Sequence, residues 1–86
     1  MMMVRSQNKE FITFLENIQG IKIYKETDES ARIVFEYVKG SKTMGQYQSY
    51  QIALKVLDMI QKHYEKYETE KIYKEGINNI CMFQMP

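Results

Sequence analysis

Several things are scarce in this chain, and each scarcity removes a class of function. Cys81 is the only cysteine among 86 residues, which excludes an internal disulfide and a cysteine-based zinc site. Small secreted domains usually rely on such bridges, so the chain reads as intracellular, in the cytoplasm. His63 is the only histidine, and neither a glycine-rich phosphate loop nor a serine-nucleophile motif occurs. Asp28-Glu29 reads as a turn pair and Glu65, Glu68 and Glu70 as a solvated helix face, without the ligand number of a calcium site. Enzymes need convergent reactive groups, so the expectation is a non-enzymatic protein with no cofactor, no metal and no small-molecule substrate.

Charge of one sign is missing as well. Twelve Lys and Arg against eleven Asp and Glu leave a net charge of +1, whereas a general nucleic-acid or membrane binder usually carries a basic excess. No apolar run approaches membrane-spanning length, and Met1–Val4 before Arg5 is too short for a signal-peptide core. No membrane partner is expected. What remains, 44% apolar and 27% charged residues, is ordinary for a folded protein. The length fits a single domain over residues 1–86, with a small core of the kind that often gains stability from a partner. Seven methionines and a single proline, with many lysines and isoleucines, suggest an AT-rich genome, viral or low-GC bacterial.

Residues 1–7 read as a loose lead-in. Ser6 or Asn8 can cap a first helix carrying Phe11, Phe14, Leu15 and Ile18 on one stripe, with Gly20 as its left-handed stop. Ile21 to Glu26 and Ala31 to Lys39 are strand-like, and the polar Thr27-Asp28-Glu29-Ser30 between them makes an antiparallel hairpin. Ile33, Phe35 and Tyr37 should face the helices. Gly40-Ser41-Lys42 is a turn; Thr43 to Ser49 is either a third, polar edge strand or the approach to the next helix.

The strongest pattern is Tyr50 to Glu75. Tyr50, Ala53, Leu57, Ile60, Tyr64 and Tyr67 follow at three- and four-residue steps, one face of an amphipathic helix. Ser49 is its N-cap and Gly76 its stop. At 1.5 Å per residue it is about 39 Å long, more than a domain of this size needs for its own core. A second row, Ile52, Val56 and Met59, should bury the first half on much of its circumference. Residues 77–86 are either a last strand or a segment folded over the core. The expected fold is therefore α+β: an N-terminal helix, a hairpin or three-stranded antiparallel sheet, and a long C-terminal helix.

The order helix, hairpin, possible third strand, long helix resembles the double-stranded RNA-binding domain over roughly residues 9 to 60. In that family a glycine-bounded strand turn leads through a glycine-containing stretch into a Ser-Lys-Lys-x-Ala-Lys helix start. Here Gly40 and Gly45 precede Ser49-Tyr50-Gln51-Ile52-Ala53-Leu54, with Leu57 one turn on. The phosphate-gripping lysines of the family correspond to Tyr50, Gln51 and Leu54, and its histidine-bearing hairpin turn to the acidic Thr27-Asp28-Glu29-Ser30. Phosphate contacts supply much of the affinity of shape-specific RNA binding. The resemblance thus implies a degenerate member turned to protein contact or dimerisation.

Two functions follow as expectations. The first is a small interaction module or regulator that presents its long helix to a protein partner or to a second copy, with His63, Tyr64, Tyr67 and Ile72 as the contact residues. Amphipathic tyrosines suit this use, although Tyr64 and Tyr67 can equally pack on the C-terminal segment. The alternative is duplex-RNA binding through Lys39, Lys42 and Lys55 around the start of the long helix, with Tyr47 and Tyr50 alongside.

Overall fold

The computed structural model describes residues 2–27, 29–73 and 81–86, with backbone alone at 70–73 and 81. Its elements in chain order are β1 (Met2–Arg5), β2 (Ile12–Phe14), a 3-10 turn (Leu15–Asn17), β3 (Gly20–Thr27), β4 (Ser30–Tyr37), β5 (Gly40–Tyr47), α1 (Tyr50–Tyr73) and β6 (Cys81–Gln84). They form two three-stranded sheets, β2-β1-β6 and β3-β4-β5. The second is an antiparallel meander. The first pairs β1 antiparallel to β2 and parallel to β6, and we call it the split sheet.

The expected N-terminal helix is absent from the described residues, and the fold begins with strands. The residues read as helix caps make a turn instead. Ser6 Oγ accepts the Phe11 amide (3.1 Å), and Asn8 Oδ1 accepts the Ser6 hydroxyl (2.6 Å) and the Glu10 amide (3.0 Å). Lys9 takes up the strain with a left-handed φ of 68°. Short polar side chains that accept backbone amides serve tight turns as readily as helix starts, and here the turn joins β1 to β2. Only Leu15–Asn17 coils, and no side chain caps it. One turn of helix is costly to nucleate without capping. Phe11, Leu15 and Ile18 still pack against the core, but from a strand end, a 3-10 turn and a connector. Gly20 opens β3 instead of ending a helix.

The residues read as a lead-in hold β1. Met2 and Val4 are fully buried, whereas Met3 and Arg5 are half-exposed, the two-residue alternation of a strand with one face covered. β6 resolves the open reading of the C-terminal residues in favour of a strand for Cys81–Gln84. Arg5 O accepts the Met85 amide (3.0 Å) and Ser6 O accepts Gln84 Nε2 (2.9 Å). Gln7 Nε2 donates to Pro86 O (3.0 Å) across 79 positions. Gly76 lies outside the described residues.

In the meander, Ile33 and Phe35 are buried and Tyr37 half-buried on the inner face. β5 is a third strand along its whole length, and a bulge at Met44 shifts its register against β4 between Ile33 and Val34. Gly40 takes φ 154° in the β4–β5 turn, a backbone conformation that side chains disfavour. On α1, Ser49 Oγ accepts the Ile52 amide (3.1 Å) and caps the helix. Ala53, Val56, Ile60 and Tyr67 are buried. Ile52 and Met59 are 41% and 47% exposed, so of the second row only Val56 is covered. The core lies between three walls: the meander's inner face, the buried stripe of α1, and Met2, Val4, Phe83 and Met85 from the split sheet and the residue after it.

Candidate interaction site on helix α1

The residues proposed for partner contact separate in the structure. Tyr67 is 7% exposed and belongs to the core. His63 is half-buried, with its ring edge-on to Phe83 at a centroid distance of 5.2 Å. β6 thus covers part of the helix half that the sequence leaves without a cover. Ile72 falls in the last turn of α1, where side chains lie outside the described residues. Tyr64 alone lines an open feature. Its ring centroid sits 6.1 Å from that of Tyr67, and its hydroxyl donates to Glu68, a bond that together with burial holds its pKa above the ordinary tyrosine value.

That feature is a groove of about 480 Å³ between α1 and the segment that leads from the split sheet into the meander. One wall is Leu57, Ile60, Gln61, Tyr64 and Glu65, the i, i+3, i+4, i+7 and i+8 positions of one helix flank. The other is Leu15, Ile18, Gln19, Gly20 and Ile21. The groove exists because the 3-10 turn is short: Leu15 and Ile18 approach α1 from an irregular connector, and neither is fully buried. Its volume lies in the range of sites that hold a ligand or an anchoring side chain.

The rim is polar and acidic. Gln61 Nε2 donates to Glu65 Oε1 (3.1 Å) and Tyr64 to Glu68, both neutral donors to acidic side chains. Glu16 accepts the Met2 amide through both carboxylate oxygens (3.1 and 3.3 Å). The far flank of α1 differs. Ile52, Lys55, Met59, Lys62 and Lys66 follow at three- and four-residue steps, and all are exposed. Among its described side chains the helix is therefore polarised, with Glu65 beside the groove on one flank and Lys55, Lys62 and Lys66 on the other.

The residues proposed for RNA are spread over the molecule. Lys39 is exposed in the β4–β5 turn. Lys42 is held with its Nζ 5.1 Å from the centre of the Phe11 ring. Tyr50 is 37% exposed, with Lys25 Nζ 5.0 Å from its ring centre, and Lys55 is exposed on the basic flank of α1. Tyr47 is buried, and its hydroxyl has no hydrogen-bond partner. Burial pushes its pKa up to about 12, and its ring is unavailable for stacking on a base.

Sequence reasoning missed Leu15, Ile18, Ile21, Gln61 and Glu65 as site residues. Leu57 lay in the recognised stripe, and Leu15 and Ile18 were recognised as apolar, but no local pattern reports that two distant segments leave a gap between them. Among the described residues, no three His, Cys, Asp or Glu side chains converge as a metal site would require, and no helix is long and apolar enough to cross a membrane. The chain matches no protein-family model, no curated protein and no solved structure.

Proposed function

We propose that this chain is a small interaction module that works through protein–protein contact along α1. The observation that supports this reading is the groove beside Leu57 and Tyr64, an apolar concavity with a charged rim on an otherwise well-packed domain. Apolar surface left open and ringed by polar groups is the usual mark of a docking site. The opposite flank, with Ile52 and Met59 exposed beside Lys55 and Lys62, extends the contact surface around the helix. The outer face of the meander offers much less, because its charged groups are already paired with one another.

The test is a titration of the protein with an RNA duplex of about 20 base pairs at low and physiological salt, beside sedimentation velocity over a range of protein concentration. Protein contact is the reading if RNA binding fails to saturate at low salt; concentration-dependent dimerisation would identify a second copy as one partner. Saturable, salt-dependent RNA binding that weakens in the Lys42→Ala/Lys55→Ala variant would overturn it.

A further inference from the structure

The groove does more than mark a face, because its chemistry selects an occupant. Its walls are aliphatic at Leu15, Ile18, Ile21 and Leu57, so what enters must be apolar. Its wall carries the Glu65 carboxylate, and Tyr64, also on that wall, donates its hydroxyl to Glu68. A ligand that brought a carboxylate here would meet like charge, whereas a cation would meet complementary charge. Among the described side chains of α1, the lysines Lys55, Lys62 and Lys66 are spaced onto the other flank and do not offset this rim.

A third observation concerns backbone. Gly20 and Ile21 line the groove and are also the first residues of β3, which among the described residues pairs only with β4 and is the outermost strand of the meander. An edge strand presents unpaired amides and carbonyls that an extended chain can join. Beyond the groove the same edge is guarded by Lys22 and Lys25 and by an irregularity between Lys25 and Thr27, devices that discourage pairing there. The start of this edge, Gly20 and Ile21, borders the groove.

We propose that the groove binds an extended peptide segment of a partner protein, with an apolar side chain seated between Ile18 and Leu57 and an adjacent Lys or Arg facing Glu65 and Glu68. The segment's backbone lies along the start of β3. This assignment rests on the protein-contact reading above and deepens it by naming the chemistry of the partner.

The experiment is selection of peptides of about 12 residues from a random display library against the full chain, followed by amide chemical-shift mapping with synthesised hits. Enriched peptides should carry an apolar anchor beside Lys or Arg and shift the amides of 15–21 and 57–65. Affinity should fall by about tenfold or more in Glu65→Lys/Glu68→Lys and by less in Glu65→Gln/Glu68→Gln, a pair that keeps shape and removes charge. Hits that map to the Ile52–Met59 flank would overturn the groove assignment and leave the protein-contact reading standing. Hits in the groove with acidic flanks would overturn the cationic requirement. An exhaustive selection without hits would overturn the groove assignment, while the RNA titration and in-cell crosslinking judge the broader reading separately.

Discussion

The meander sheet is built from one continuous stretch, Gly20–Tyr47, and each strand pairs with the next across a short turn. The split sheet joins Met2–Arg5 and Ile12–Phe14 to Cys81–Gln84, and its central strand has one partner nearby and one at the far end of the sequence. Their outer faces differ in the same sense. On the meander, Lys22 lies 3.2 Å from Glu36 and Arg32 3.0 Å from Glu26. Arg32 Nη1 also donates to Thr43 Oγ1 (3.1 Å) and Gln46 Nε2 to Glu26 Oε2 (3.2 Å). Under this lattice Val34 is only 3% exposed although it points away from the core. On the split sheet, Phe14, Met3 and Met82 form an apolar row across the three strands, with Met82 44% and Ile12 48% exposed. One sheet is closed locally and finished with charge. The other is closed by a distant strand and left apolar outside, and the groove lies along the connector between the two.

Removing the centre of the meander should have the largest effect. Phe35 is fully buried on β4, so Phe35→Ala is expected to cost about 4 kcal/mol, enough to unfold a domain of this size under mild conditions; urea denaturation measures it. Phe83→Ala removes the ring that anchors β6 against His63 and should cost less, about 3 kcal/mol. It should also act differently: hydrogen exchange should rise in β1 while β4 amides still open only through global unfolding. Uniform acceleration in both sheets would break the distinction between them.

Smaller changes sharpen it. Tyr47→Phe removes a buried hydroxyl that has no hydrogen-bond partner and should leave the protein as stable or more so, by up to about 1 kcal/mol. The same residue sets an alkaline limit. Its folded pKa of about 12 exceeds the ordinary value of 10.0, so above that ordinary value the unfolded state loses the proton first. The stabilising contribution is complete below pH 10.0 and is lost as pH rises toward about 12, and the variant should lose less stability over that window. Glu26→Gln, which removes the ion partner of Arg32 on the outer lattice, should change stability by less than about 1 kcal/mol, with the difference shrinking in high salt. A loss as large as that of Phe83→Ala would mean that the lattice is a principal source of stability.

The same division governs what the sequence reveals. The β3–β4 hairpin is legible because alternation and a polar turn lie within one short window, and Thr27 and Ser30 meet across that turn at 3.0 Å. α1 is legible because its period and its Ser49 cap are local. β1 is not: in Met2-Met3-Val4-Arg5 every residue but the last is apolar, and only the tertiary environment decides that Met2 and Val4 point inward. Ser6 and Asn8 mislead because a helix cap and a tight turn call for the same short acceptors. β6 pairs with a strand that no window can connect to it. The candidate site shares this difficulty. Tyr64 was visible as a tyrosine on an amphipathic helix, but the wall opposite it comes from residues 15–21, and their expected helical geometry would have left no such opening.

The α1 groove as the working surface is tested most directly by site-specific photo-crosslinking in the cell from Gln61, on the groove wall, and from Ser41, exposed on the outer face of the meander. The expected result is a covalent adduct with one protein partner from Gln61, lost in Glu65→Lys/Glu68→Lys, and none from Ser41. Adducts from Ser41 alone, or a nucleic-acid adduct from either position, would contradict it.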